Sequence, residues 1–288
     1  MTAIIFGANG QDGIYLAKLL LAKQYNIIPI NREAGGSISL ISDFEKVSNL
    51  VKQHLPDYIF HFAATSSTSH AVWQQNHDAI STGTLNILEA VKKYSPQTKI
   101  FLSGSGLQFK NEGKPIKETA EFYAGSMYAV SRIHTVYAAR YYRSIGLKVY
   151  IGYFFNHDSI YRTERHINKK IIETVKRIAK GSIEKLLVGD LTVKKEFGFA
   201  GDIVNAIMIL VEQDVVYEAV IGTGKAYAIK EWVDICFSLF GLNCKEHVEP
   251  MPGFSSEYKA LVSDPSTIYS LGWKPETDIH LLAKLMSI

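Results

Sequence analysis

Cysteine is scarce in this sequence: Cys236 and Cys244 are the 2 thiols among 288 residues. Two thiols cannot build a disulfide framework, and neither sits at a metal-ligand spacing. Both read as reduced packing residues of a cytoplasmic protein, with no metal site expected. An excess of charge of one sign is also missing, because 31 Lys and Arg face 28 Asp and Glu for a formal net charge of +3. That mild excess suits a phosphorylated ligand but leaves no electrostatic footprint for nucleic acid. No basic leader and no long apolar run precedes Ala3-Ile4-Ile5-Phe6, so neither a signal peptide nor a membrane span is expected. Internal repeats and low-complexity tracts are absent as well. What is present is 47% hydrophobic residues, ample for a core, and only 20% charged residues, too few for disorder.

The apolar residues alternate between two periods. Short runs rich in β-branched or aromatic residues, at 3–6, 27–30, 57–63, 99–102 and 149–154, read as strands. Between them lie stretches of helical spacing, from Asp12 to about Tyr25, then 44–54, 84–93 and 128–144. Strand alternating with helix predicts an α/β protein, a Rossmann-type doubly wound parallel sheet covered on both faces. Residues 1–155 are expected to form this dinucleotide-binding half, with a later return of the chain to it around 190–225. After Asn156 the rhythm changes: helices at 168–180, 202–212 and 229–240 and a strand at 216–221 interleave with polar loops, notably 251–258. Residues 156–288 therefore read mainly as a smaller α/β substrate lobe.

Gly7-Ala8-Asn9-Gly10-Gln11-Asp12-Gly13 falls between the first strand and the first helix. Gly7, Gly10 and Gly13 permit a tight turn and a close backbone approach to a pyrophosphate, which the helix N-terminus then meets with free N–H groups. Asn9, Gln11 and Asp12 complete this candidate cofactor loop. A strand before it and an amphipathic helix after it are the context that gives a glycine pattern meaning. Gly222-Thr223-Gly224 lacks that context and reads as a turn. At the end of the second strand an acidic residue would accept hydrogen bonds from a ribose 2′-hydroxyl and favour NAD. Asn31-Arg32 stands there instead, and a guanidinium pairs with a 2′-phosphate, so NADP is expected, with NAD the alternative. Asp43 and Phe44, after a weak third strand, would suit the adenine edge. Ala63 and Ala64 would let the backbone approach the cofactor.

Several motifs carry a resemblance. The glycine spacing is similar to that of extended short-chain dehydrogenases. Gly10-Gln11-Asp12-Gly13-Ile14-Tyr15-Leu16 resembles the opening of GDP-mannose 4,6-dehydratases, as do Phe155-Asn156-His157-Asp158-Ser159 and the stretch from Gly189-Asp190-Leu191 to Asp202. Asp264-Pro265 with Leu271-Gly272-Trp273-Lys274-Pro275 resembles endings in that family and in the related GDP-4-keto-6-deoxy-mannose reductases. The resemblance covers nearly the whole chain.

It implies a hydroxyl–tyrosine–cation catalytic set, which falls on Ser105, Tyr128 and Arg132, with Tyr128, Arg132 and Phe155 also against the cofactor. A phenol with an ordinary pKa near 10 must exchange a proton near neutrality, and a cation one helical turn on lowers its pKa. The family's cation is lysine. Arg132 keeps the charge but is planar and bulkier. The dehydratases also carry a glutamate two residues after the hydroxyl residue, as acid/base for eliminating water across C5 and C6. Here that position is Leu107, which exchanges no proton, and Glu112 and Asp158 are the nearby carboxylates.

On the substrate side the resemblance implies a GDP-linked nucleotide-diphosphate sugar, whose doubly charged, desolvated diphosphate calls for cations. Asn156, Lys170 and Lys195 are the expected contacts, with Arg162, Lys169 and Lys194 in the same segments. Phe254 replaces a family arginine, and His157 is given no proton-transfer role. With Tyr128 and Ser105 intact and Leu107 in place, the expected reaction is NADPH-dependent reduction of a GDP-4-keto-6-deoxy sugar (hexose or heptose) in surface polysaccharide synthesis. Dehydration or epimerisation of a GDP-mannose or heptose substrate is the alternative, and a weakened cofactor-binding subunit the next. The resemblance implies a homodimer or homotetramer paired through the helices at 84–93 and 128–144.

Overall fold

Strand β1 (Thr2–Phe6) is buried along most of its length and sits inside a sheet, as its unbroken apolar run requires. The computed structural model describes residues 1–31 and 40–288. In it β1 pairs in parallel with β2 (Asn26–Ile30) on one side and β3 (Tyr58–His61) on the other. Strands β4 (Lys99–Ser105) and β5 (Lys148–Phe154) extend the sheet, and the strand Glu218–Ile221 closes it beyond β5. The described sheet thus has 6 parallel strands, and its last member comes from late in the chain.

Helices cover both faces, as parallel pairing demands. One core lies under α2 (Phe44–His54) and the helices Gly83–Tyr94 and Met127–Ser144, joining Val47, Ile87, Leu88 and Val136 to Ile4, Ile100 and Val149 of the strands. The opposite core lies under α1 (Gln11–Ala22) and the helix Ala200–Val211, with Leu16, Leu20, Ile207 and Leu210 against Ile5, Phe60 and Phe101. A third core belongs to the later residues. There Ile171, Ile172 and Val175 of the helix Ile167–Ala179 meet Trp232 and Phe237 of Ile229–Leu239 and Leu282 and Met286 of Ile279–Ser287.

The element boundaries shift by a few residues from the periodicity reading, and one element differs in kind. Leu40–Ser42, where a third strand was expected, is a 3₁₀ turn, and residues 32–39 lie outside those described. Gly222-Thr223-Gly224 is a turn, closed by the buried Glu196 carboxylate, which accepts from the Thr223 and Ser263 backbone N–H groups. Both cysteines are free thiols. No helix among the described residues is long and apolar enough to cross a membrane. Leu85, Val130, Tyr137 and Tyr141 are exposed on the helices Gly83–Tyr94 and Met127–Ser144.

Candidate active site

The carboxyl ends of the strands, where parallel sheets bind ligands, carry two adjoining cavities. The first, about 370 Å³, is walled by Gly7, Asn9, Gly10 and Gln11 from the β1–α1 turn, Asn31 from the end of β2, and Ala63 and Ala64 from the end of β3. The turn is as tight as its glycines suggest. Gly7 has φ +84°, in the left-handed region, and a Cβ there would meet the Ala63 nitrogen at 2.9 Å. At Gly13 a Cβ would fall 2.4 Å from the Gly7 carbonyl and 2.6 Å from the Ala8 Cα, so α1 packs on the turn with no room for a side chain. Gly10 is different: a Cβ there would meet only the Gly7 carbonyl, at 3.3 Å, which leaves its outer side open. Gly10 caps α1 without a side-chain hydrogen bond, so the first N–H groups of the helix remain available.

The polar residues of the turn have other duties. The Asn9 N–H donates to the Asn31 side chain at 2.7 Å. The buried Gln11 amide donates to the His157 carbonyl at 3.1 Å and accepts from the Ser159 hydroxyl at 3.0 Å. Asp12 Oδ1 lies 2.8 Å from His157 Nε2, while His157 Nδ1 lies 2.8 Å from the Phe155 carbonyl. Burial pulls the His157 imidazole down, but the Asp12 charge and hydrogen bond outweigh it and hold the ring above its ordinary range. Burial opposes the Asp12 carboxylate too, yet His157, then Arg162 and Arg132, leave its pKa lowered.

The second cavity, about 470 Å³, holds Ser105, Leu107, Tyr128, Arg132, Phe155, Asn156 and His157. Ser105 comes from the end of β4, where its hydroxyl accepts from the Leu107 N–H at 3.2 Å and starts the 3₁₀ turn Gly106–Gln108. Tyr128 sits in the first turn of Met127–Ser144, which Ser126 caps by accepting from the Ala129 N–H at 3.1 Å. One turn on, Arg132 is 4% exposed, so its guanidinium must be paired. Its Nε donates to the Tyr128 hydroxyl at 3.2 Å, and its Nη1 donates to the Ser103 carbonyl and, at 2.9 Å, to the Ser103 hydroxyl. Behind it, burial and then the Arg132 charge push the His61 imidazole down to about 3, so His61 is neutral. Arg132 therefore joins the phenol of Tyr128 to the end of β4.

A third cleft, about 350 Å³, opens between the later elements and is lined by Ile167, Val193, Ile229, Met251, Phe254 and Lys195 among others. Lys195 is buried, and burial, followed by the Arg162 charge, lowers its ammonium to about 8 although Asp158 partly offsets this. A buried ammonium lining a cleft is a counter-charge available to an anion. Phe254 lays its ring over Gly189, where a Cβ would fall 2.3 Å from the ring edge.

Other expected residues are placed elsewhere. Asp43 is the N-cap of α2, its carboxylate accepting from the Glu45 and Lys46 N–H groups, and the half-exposed Phe44 beside it is not among the walls of these cavities. Asp43 therefore already has a structural role, which the assignment to an adenine edge had not foreseen. Lys170 points to the surface and donates to the Leu187 carbonyl at 3.2 Å, away from the three cavities. Lys169 pairs with Glu173 at 2.7 Å. Arg32 lies outside the described residues.

Sequence reasoning passed over Arg165, His166, Glu257 and Tyr258. Arg162, Arg165 and His166 line both the glycine-turn cavity and the Tyr128 cavity. Glu257 and Tyr258 line the Tyr128 cavity and the third cleft. They come from loops without a motif, and the one available signal was the polar character of 251–258.

The sequence pattern of the family described as GDP-mannose 4,6 dehydratase matches residues 4–286. GDP-mannose 4,6 dehydratase 1 of Arabidopsis thaliana is 30% identical over 320 residues, covering 99% of this chain and 88% of its own. The human GDP-mannose 4,6 dehydratase is 28% identical over 268 residues, covering 83% of this chain and 72% of its own. Among solved structures, RMD from Pseudomonas aeruginosa complexed with NADPH superposes with a TM-score of 0.86 at 20% identity, covering 99% of this chain and 96% of its own. The UDP-glucose 4-epimerase of Thermotoga maritima, solved with UDP-glucose, gives 0.87 at 21% identity, with 100% and 97% covered. These structures share the Rossmann-type fold. The chain belongs to the GDP-mannose 4,6 dehydratase family.

Proposed function

We propose that the protein is an NADP(H)-dependent enzyme of GDP-sugar metabolism that works at C4 of the sugar, and that its reaction is the 4,6-dehydration of GDP-mannose or a close relative. The observation that carries this reading is the junction of two cavities: an open glycine turn with free helix N–H groups runs into a chamber holding Tyr128, Ser105 and Arg132. The glycine-turn residues fit a dinucleotide because the outer side of Gly10 is clear where a pyrophosphate would lie. The backbone at Gly10 and Gln11 would hold the pyrophosphate, and Ala63 and Ala64 would border the nicotinamide end. When bound, the nicotinamide supplies hydride exchange with the C4 carbon.

The chain's own part is proton handling and orientation. Tyr128 exchanges the proton of the C4 oxygen, Ser105 orients that oxygen, and Arg132 fixes the phenol from behind. Lys195 takes the diphosphate charge in the third cleft, and Asn156, whose buried Oδ1 has no partner among the described residues, accepts from a sugar hydroxyl. Residues 1–155, rejoined by Glu218–Ile221, act as the cofactor half and 156–288 mainly as the substrate lobe. A second copy would pair across the exposed Leu85, Val130, Tyr137 and Tyr141 face.

Ketone reduction, the reaction expected from Leu107, is the second reading. The names of the curated relatives weigh for dehydration, while the apolar side chains of Leu107, Val72 and Leu261 in the chamber favour a sugar with a methyl at C6. Incubation of the protein and NADP⁺ with GDP-mannose, followed by mass spectrometry, tests the primary reading: loss of one water is expected, and Tyr128→Phe should abolish it. Stoichiometric NADPH consumption with GDP-4-keto-6-deoxy-mannose, and no water loss from GDP-mannose, would replace dehydration by reduction.

A further inference from the structure

Losing the C6 hydroxyl of a 4-keto sugar requires a base for the C5 proton, which the ketone acidifies, and an acid for the departing oxygen. Leu107 offers neither. Two carboxylates occur among the residues lining the Tyr128 chamber, Asp12 and Glu257. Asp12 is committed to His157 at 2.8 Å and sits at the start of the cofactor helix. Asp158 is buried and bonded to Asn168 and Arg162 rather than lining the chamber. Glu112 lines only the neighbouring cavity and pairs with Lys110 at 3.3 Å.

Glu257 differs from all three. It lines the Tyr128 chamber and also the adjoining cavity that shares Leu107 with it. One oxygen accepts from the Thr68 hydroxyl, and among the described residues no cation stands within ion-pair distance of either oxygen. Its half-buried neighbour Tyr258 lines the same chamber as Asn156, which sets this stretch in the chamber wall. The exposed Glu257 side chain is thus held on one side by a hydroxyl, carries no committed cation among the described residues, and lines the same chamber as the catalytic phenol.

We propose that Glu257 is the acid/base of the elimination, taking from across the chamber the task that Leu107 cannot perform. This rests on the dehydratase reading above. In the step, the carboxylate takes the C5 proton and the C5–H bond breaks. The electron pair forms the C5=C6 bond, and the C6–O bond breaks. The proton passes from Glu257 to the leaving oxygen, which departs as water, so the carboxylate is regenerated and the product is a 4-keto-5,6-ene. Its later reduction draws on the reduced nicotinamide left by oxidation at C4.

The test is Glu257→Gln in the full-length protein, with Glu257→Asp as the conservative partner and circular dichroism to compare folds. Two readouts separate the step from the overall function. In D₂O, a GDP-4-keto-6-deoxy sugar with C5–H reports base catalysis alone, by deuterium wash-in at C5. With GDP-mannose and NADP⁺, absorbance of the reduced nicotinamide reports C4 oxidation and mass spectrometry reports water loss. Glu257→Gln should lower wash-in and water loss by about 10²-fold or more while nicotinamide reduction persists, and Glu257→Asp should restore part of the wash-in. Wash-in by the glutamine variant within about threefold of the wild type would overturn the assignment, as would no wash-in by the wild type. A variant that changes only KM would overturn it too, because it would make Glu257 a ligand of the nucleotide. If the wild type exchanges C5 but never dehydrates GDP-mannose, the dehydratase reading falls while the assignment of Glu257 as the C5 base stands.

Discussion

Replacing Arg132 by methionine isolates what a guanidinium contributes at a position where the family resemblance implies lysine. The side chain is buried and makes three hydrogen bonds, one to the Tyr128 hydroxyl at 3.2 Å and two to Ser103. Methionine removes a charge-assisted bond to the phenol, about 1.5–3 kcal/mol, which converts to a fall in kcat of roughly 10- to 150-fold if that bond is made in the transition state. It also strands the Ser103 carbonyl, about 1–3 kcal/mol, although the Ser103 hydroxyl keeps its bond to the His61 carbonyl at 3.0 Å. At roughly 2–4 °C per kcal/mol for a chain of this size, Tm should fall by several degrees. Arg132→Lys discriminates the two contributions. An ammonium keeps the charge beside Tyr128 but cannot reach the phenol and both Ser103 atoms as a planar fork does. Its kcat should recover to within about tenfold of the wild type while Tm stays low. Steady-state kinetics with GDP-mannose and NADP⁺, paired with thermal melts, measure both. An unchanged kcat in Arg132→Met alongside a lowered Tm would show that Arg132 only braces β4, and would remove it from the site.

Three further outcomes follow from the geometry. Gly13→Ala places a Cβ 2.4 Å from the Gly7 carbonyl, and the backbone shift it forces should cost about 1–3 kcal/mol and weaken NADP⁺ binding, read by melts and fluorescence titration; a neutral variant would refute the tight packing of α1 on the turn. Lys195, lowered to about 8, is cationic below that pH, so GDP should bind most tightly there and lose affinity as pH rises through 8 and beyond, whereas Lys195→Met should bind weakly and without that dependence by calorimetry. For the Asp12–His157 pair the signs are opposed: the lowered Asp12 pKa stabilises above the ordinary carboxyl value of 3.8 and is lost as pH falls, while the raised His157 pKa stabilises below the ordinary imidazole value of 6.5 and is lost as pH rises. His157→Gln should therefore destabilise most between those values, and a pH-independent difference in Tm would count against the pair.

The sheet was legible because a parallel strand buried on both faces must be apolar throughout, as Ile4, Ile5, Phe60 and Val149 are. The glycine turn was legible for a similar reason, since Gly7 and Gly13 mark places where backbone meets backbone. Ser105, Tyr128 and Arg132 could be named from a motif and are brought together. The N-cap role of Asp43 was not legible, because an N-cap and an adenine contact ask for the same residue type and only the α2 backbone reveals the cap. Lys170 and Lys195 were indistinguishable as lysines in basic segments. Burial separates them, and it depends on how the lobe packs. Glu257 and Tyr258 left no periodic signal at all, because a loop side chain is aimed by tertiary contacts such as that of Glu257 with Thr68.

Tertiary contacts of another kind explain why the glycine turn carries polar side chains that are spent within the protein. Gln11 and Asp12 both spend their side chains on the segment 157–159, through the His157 carbonyl, the Ser159 hydroxyl and the His157 ring. Asp158 of that segment in turn holds Arg162 and Asn168, and Arg162 lines both the glycine-turn and Tyr128 cavities. The backbone of the turn is thereby left for the cofactor, while its side chains set the position of the chain that crosses from one cavity to the other. Buried and hydrogen-bonded at both ends, this linkage is stiff, because displacing His157 would leave the Asp12 carboxylate and the Phe155 carbonyl without their partner. The distance between the glycine turn and the Tyr128 chamber is thus fixed by protein contacts alone, which is the preorganisation that chemistry between two separately bound ligands requires.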